Sequence, residues 1–173
     1  MAKGRLKRPA GPAPAPREIF KQSMRFFIAL HGLHLYRREK PDLASALDLP
    51  MLVLAAFQSE VAMKALIVAE SGVLPGGHDL KELFGKLAPA TQAAVEAAWD
   101  RLMAKVEPET LELELRLGGK VPRGLHEALE HSKDSFAELR YIYETGDGQS
   151  YIGNLPLALS EVAVSLHSDW ERL

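Results

Sequence analysis

The stretch Leu49–Gly72, LPMLVLAAFQSEVAMKALIVAESG, decides how this chain folds. It is the most apolar part of the sequence, and its residues favour a helix running from about Leu49 to Glu70. Asp48 is placed to cap the helix start, Pro50 falls in the first turn where its missing N–H is tolerated, and Ser71-Gly72 supplies the stop. Each large side chain fully buried there is worth about 1.5–3 kcal/mol, so this is expected to be the central core helix. Glu60 and Lys64 are the only charges between Leu49 and Ala69. At i and i+4, with the acid first, they can pair for about 0.2–0.5 kcal/mol. That gain is too small to account for charges on a core helix, so one face should meet water, either as a solvated edge or as a polar cleft.

Working outward, Arg17–Lys40 carries Ile19, Ser23, Phe26, Leu30 and Leu33 on one seam and Phe20, Met24 and Phe27 on the next. This gives a broad apolar helix face buried on two sides. Arg37, Arg38 and Lys40 crowd its C-terminal end, where cations complement the helix dipole, and Pro41 stops it. Downstream, Leu74-Pro75-Gly76-Gly77 is a turn, and Asp79 to Glu82 reads as a capping box for a short helix to about Leu87. Pro89 opens another helix, ending near Val106, with Val95, Ala98, Trp99 and Leu102 inward. In Thr110–Leu117 leucines alternate with charged residues at strand period, and with Gly118-Gly119 and Lys120-Val121-Pro122 this predicts a short β-hairpin near 110–121. A fifth long helix, about Arg123–Thr145, has the seam Leu125, Leu129, Ser132, Phe136, Leu139 and Tyr143. Asn154 then caps a last helix with Leu155, Leu159, Val162, Leu166 and Trp170 inward. The expected fold is all-α: an up-and-down bundle of five to six helices with that hairpin as an accessory.

Composition narrows the function classes. The chain has 173 residues, 47% apolar and 25% charged, and no Cys. One domain is expected over residues 17–173, preceded by a flexible, basic, Pro/Ala-rich arm over 1–16. Without Cys there is no disulfide, thiol nucleophile or Cys-ligated metal. The longest unbroken apolar run, Leu49–Phe57, is about half of the roughly 20 residues a membrane span needs, and the basic start lacks the apolar core of a secretory signal. A cytoplasmic protein with no membrane association is the expectation. Residues 1–17 hold five bases and no acid, leaving 16 bases against 23 acids in the rest. Such an acidic body does not suit coating of duplex DNA.

Known catalytic signatures are missing: there is no GxxxxGK[ST], GxSxG, HExxH or EF-hand loop, and GDGQSYIG departs from GxGxxG at Tyr151. His31 and His34 sit at i and i+3, either as a pair of metal ligands lacking a third or as histidines packed at the core edge. His126, Glu130, Lys133 and Arg140 form a stripe beside the seam of the fifth helix, either a phosphate-contacting strip or a charged, solvated face. No cofactor or metal is expected.

Phe57–Leu87, FQSEVAMKALIVAESGVLPGGHDLKELFGKL, resembles the first half of a HEPN (higher eukaryote and prokaryote nucleotide-binding) domain. The matching elements are Glu60, Ala62, Lys64, Ala65 and Leu66, a Gly/Pro turn, then His78, Asp79 and Leu80. FAELRYIYE, Phe136–Glu144, is similar to the Arg-Tyr-x-Tyr-Glu ending of a later helix in some members, and together the matches cover about a quarter of the chain. The resemblance implies an α-helical bundle, homodimerisation, RNA or nucleotide association, and in many members a role in toxin–antitoxin or defence systems beside a nucleotidyltransferase-type partner. It points to Glu60, Lys64, His78 and Arg140 as the lining of a ligand-binding groove. The family's Arg-x(4–6)-His ribonuclease motif has one literal match, Arg25 to His31, and six helical steps set those side chains about 120° apart. A metal-independent ribonuclease of different arrangement would draw on Arg123, His126, His31 and Arg140. A third reading is a structural module in which LELELRL pairs strand to strand across a dimer.

Overall fold

The computed structural model describes residues 13–107, 111, 114, 120–132 and 151–170. Among these it shows an all-α bundle: α1 (Pro16–Glu39), α2 (Ala44–Ser71), α3 (Leu80–Gly85), α4 (Pro89–Lys105), α5 (Leu125–Ser132) and α6 (Leu155–Leu166). Short 3₁₀ turns at Pro41–Leu43 and Ser168–Trp170 follow α1 and α6.

Helix α2 is the hub. It packs against α1, α3 and α6, while α4 packs on α6 and α5 on α3 and α4. Its 28 residues span about 42 Å at 1.5 Å per residue. Ala55, Ala56, Ala62 and Ala65 are buried among Met51, Met63, Leu66, Ile67 and Val68, and the small side chains let neighbouring helices approach on several sides. The helix ends where expected, at Gly72 in the left-handed conformation (φ 70°) with its N–H on the Val68 carbonyl. Its start differs from expectation. It begins at Ala44, so Pro50 lies inside the helix rather than in its first turn. Asp48 is not the cap; its carboxylate meets Arg37 at 2.9 Å, clasping α2 to α1. Pro50 is tolerated because it sits on the exposed side of the helix.

This helix is also long and apolar enough, by length and composition, to cross a membrane. Its few charges, rather than an unbroken apolar run, bring it over that threshold. Within the fold, 72% of the most apolar window is buried by other helices, so its apolar surface has partners inside the protein.

The pair α1–α2 is an antiparallel hairpin, with Phe26 and Phe57 ring centroids 5.0 Å apart across it. The chain end folds back so that Trp170 packs on Phe20 at 5.0 Å. Trp99, fully buried on α4, donates its indole N–H to the Arg123 carbonyl at 2.8 Å. Leu166, expected inward, is half exposed, because the helix stops there and the 3₁₀ turn carries Trp170 inward in its place.

The hairpin near 110–121 is not what the described positions show. Leu111 and Glu114 have helical backbone, and Lys120 to Arg123 belong to no strand. Leu and Glu are strong helix formers and neither is β-branched, so their propensity outweighs the alternating pattern. Glu114 instead accepts from the Val121 N–H at 2.8 Å and from Arg123 at 3.1 Å. The other positions of 108–119, the fifth helix beyond Ser132 and the arm over 1–12 lie outside the described residues.

Candidate functional site

The turn between α2 and α3 builds the candidate site. Gly72 and Gly77 both have positive φ, 70° and 86°, which lets the chain reverse tightly after α2 and return along it. Pro75 is buried within the turn. Asp79 then caps α3, its side chain accepting from the Glu82 N–H at 2.8 Å. The reciprocal half of the expected capping box is absent, since the Glu82 carboxylate takes Lys86 at 2.5 Å.

This return places His78 against the middle of α2. Its Nδ1 is 3.0 Å from both carboxylate oxygens of Glu60. On the same carboxylate, Lys64 Nζ donates to Oε1 at 2.6 Å. Glu60 and Lys64 are 4% and 9% exposed, so the open polar edge expected along them is closed. One buried carboxylate is shared by two nitrogen groups, and the histidine alone reaches solvent, with 61% of its side chain exposed. A paired charge in the interior avoids the penalty of an isolated one but adds little net stability. Arg140, the fourth residue of the expected groove, lies outside the described residues.

The residues of the ribonuclease arrangement are held elsewhere. Arg123 is engaged by Glu114 at 3.1 Å and Glu107 at 3.4 Å. His126 Nε2 meets Glu96 at 2.8 Å, and its ring stands edge-on to Phe84. On the charged stripe of α5, Glu130 pairs with Lys81 of α3, while Lys133 and Arg140 lie outside the described residues.

His31 and His34 both line a small cavity of about 160 Å³ between α1 and the start of α6, with Asn154 and Pro156 opposite. Burial, and then the nearby Arg37 and His31, hold the His34 imidazole below its ordinary value. No group of three or more His, Asp or Glu side chains among the described residues is placed to hold a metal ion.

Two features escaped the sequence reading. One is a buried polar network joining three helices: Ser23 Oγ donates to the Gln58 carbonyl at 3.2 Å, and Gln58 Nε2 donates to Ser160 Oγ at 3.0 Å and to the Pro156 carbonyl at 3.3 Å. Its one available signal was a Gln within the apolar run of α2. The other is a larger groove of about 490 Å³ between α1 and α6, continuing from the histidine cavity through shared Phe27 and Leu157. Comparison with known proteins gives no relative: no protein-family profile, curated protein or solved structure matches the chain.

Proposed function

We propose that this protein is a HEPN-like helical binding module that takes an RNA or nucleotide phosphate at the His78 end of the Glu60–Lys64–His78 cluster. The observation that supports this most is convergence. Three residues that the family resemblance singles out, 18 positions apart at the extremes, meet on one carboxylate. Of the three, the His78 ring is the group at the surface, and ring N–H chemistry suits a phosphate oxygen. Homodimerisation and a nucleotidyltransferase-type partner, in a toxin–antitoxin or defence setting, belong to the same reading. It is a binding role rather than cleavage, because Arg123 and His126 are each committed to acidic neighbours.

Fluorescence anisotropy with a labelled mixed-sequence RNA, and calorimetry with ATP, test the proposal. Wild-type protein should bind at least one of these with an affinity that falls as salt rises. His78→Ala, at an exposed position, should weaken binding about tenfold without changing the fold, a loss of roughly 1.4 kcal/mol. No binding of either probe, or binding indifferent to His78, overturns the reading.

A further inference from the structure

Helix α1 carries two histidines that make no hydrogen bond to any described residue, His31 and His34. His78 and His126, by contrast, each meet a glutamate. At i and i+3 the pair are neighbours on one helix face, with Cβ atoms about 5–6 Å apart. Both line the cavity of about 160 Å³ that faces the start of α6. Its other walls are largely apolar: Phe27 and Leu30 from α1, Pro156 and Leu157 from α6. Asn154, the third polar side chain of the lining, turns its amide N–H to Met103 Sδ at 3.6 Å. The two imidazoles are therefore the side-chain donors left for a ligand. Both histidines are also open to solvent, which lets a small molecule enter without parting the bundle.

The walls define that molecule. No carboxylate lines the cavity, so no acid within it competes for the ring N–H groups. A hydrogen bond from N–H to an ionised oxygen is roughly twice as strong as a neutral one, and two neighbouring rings can serve the two oxygens of one carboxylate. Inorganic phosphate is polar on every side and would press oxygens against Phe27, Leu30 and Leu157, where nothing can bond to them. An apolar body with a single carboxylate meets both kinds of wall. The volume is close to that of an apolar cavity known to admit benzene, roughly 150 Å³, which sets the body at about three to six carbons. We infer that the His31–His34 cavity binds a small monocarboxylate, its oxygens on the two imidazoles and its hydrocarbon end against Phe27 and Leu157. Arg37 takes no part, because Asp48 holds it at 2.9 Å. A metal ion fits less well, since no third His, Asp or Glu among the described residues joins the pair. The inference stands apart from the phosphate-binding reading, with which it shares no residue.

Titration of the full chain with butyrate, followed through the imidazole Cε1–H signals in NMR spectra, tests it. Butyrate should shift the His31 and His34 signals, leave those of His126 and His167 in place, and saturate in the millimolar range. Butanol, which lacks the charge, and inorganic phosphate, which lacks the apolar body, should each bind about tenfold more weakly. The double variant His31→Leu/His34→Leu keeps bulk at two exposed positions, so its circular dichroism should match wild type. Its affinity, read by saturation transfer to butyrate, should fall by about tenfold or more. On the wild-type chain, nuclear Overhauser effects between the butyrate methyl and the Phe27 ring should appear, a readout that needs no variant to fold. No shift, equal affinity for butanol or phosphate, absence of those Overhauser effects, or binding that survives the double variant overturns the proposal. So does Zn²⁺ occupying both imidazoles while butyrate leaves them unmoved, which makes the cavity a metal site.

Discussion

At the scale of single residues, the Glu60–Lys64 pair shows how burial changes the meaning of a sequence pattern. On a solvated helix the same spacing is worth a few tenths of a kcal/mol; inside the fold the pair is a mutual obligation. Removing the carboxylate strands the buried Lys64 ammonium, so Glu60→Gln should destabilise the protein by about 3–5 kcal/mol. Replacing both, as in Glu60→Gln/Lys64→Met, should recover most of that loss, and urea denaturation of the two variants checks it. Gly153 is a second position where one atom matters. Its φ is +49°, and a Cβ would stand 2.8 Å from the Tyr151 ring and 3.0 Å from Trp99. Both rings are packed, Trp99 fully buried and Tyr151 half-buried. Gly153→Ala should therefore cost about 1–3 kcal/mol from backbone strain and overpacking, read as a lowered urea midpoint. Burial also pushes the Tyr151 hydroxyl above its ordinary value, against the pull of Arg123, consistent with that tight packing.

At the scale of elements, what could be read in advance depended on whether local chemistry decided the outcome. Pro41, Gly72, Asp79 and Pro89 each act through their own backbone or the next turn, and each ends or opens a helix where the sequence says it should. The inward faces of α4, α5 and most of α6 were legible for the same reason, since period 3.6 survives in their sequences. Pro50 and Asp48 misled because tertiary contacts decide there: the helix starts early once Arg37 engages Asp48. At Leu111 and Glu114 the alternation misled because it ignores helix propensity. The His78 cluster was legible only as a motif, and its closure against solvent was not, because burial depends on what the turn folds over. α3 gives a direct check of local control. With 6 residues it is too short to persist without its cap, so Asp79→Ala should cost about 1 kcal/mol, and amide exchange should rise first in Leu80–Leu83.

At the scale of the whole molecule, stability should depend on pH through His34. Its proton is held less readily in the folded chain than in the unfolded one, so the unfolded state gains protons first as pH falls. The bundle should keep its full stability above the ordinary histidine value of 6.5 and lose some below it. His34→Gln should flatten that dependence, measured as the denaturation midpoint against pH. If the variant keeps the wild-type slope, another group controls it.

The Ser23–Gln58–Ser160 network works as an indexing key for the bundle. Ser23 ties α1 to the Gln58 carbonyl, and the Gln58 amide reaches α6 through hydrogen bonds that one axial alignment satisfies; sliding α6 by a single turn would take Ser160 and the Pro156 carbonyl away from that buried amide. Alanine-rich walls such as those of α2 are smooth and permit several near-equivalent seatings. A single polar tooth in that smooth surface makes one seating the unique one.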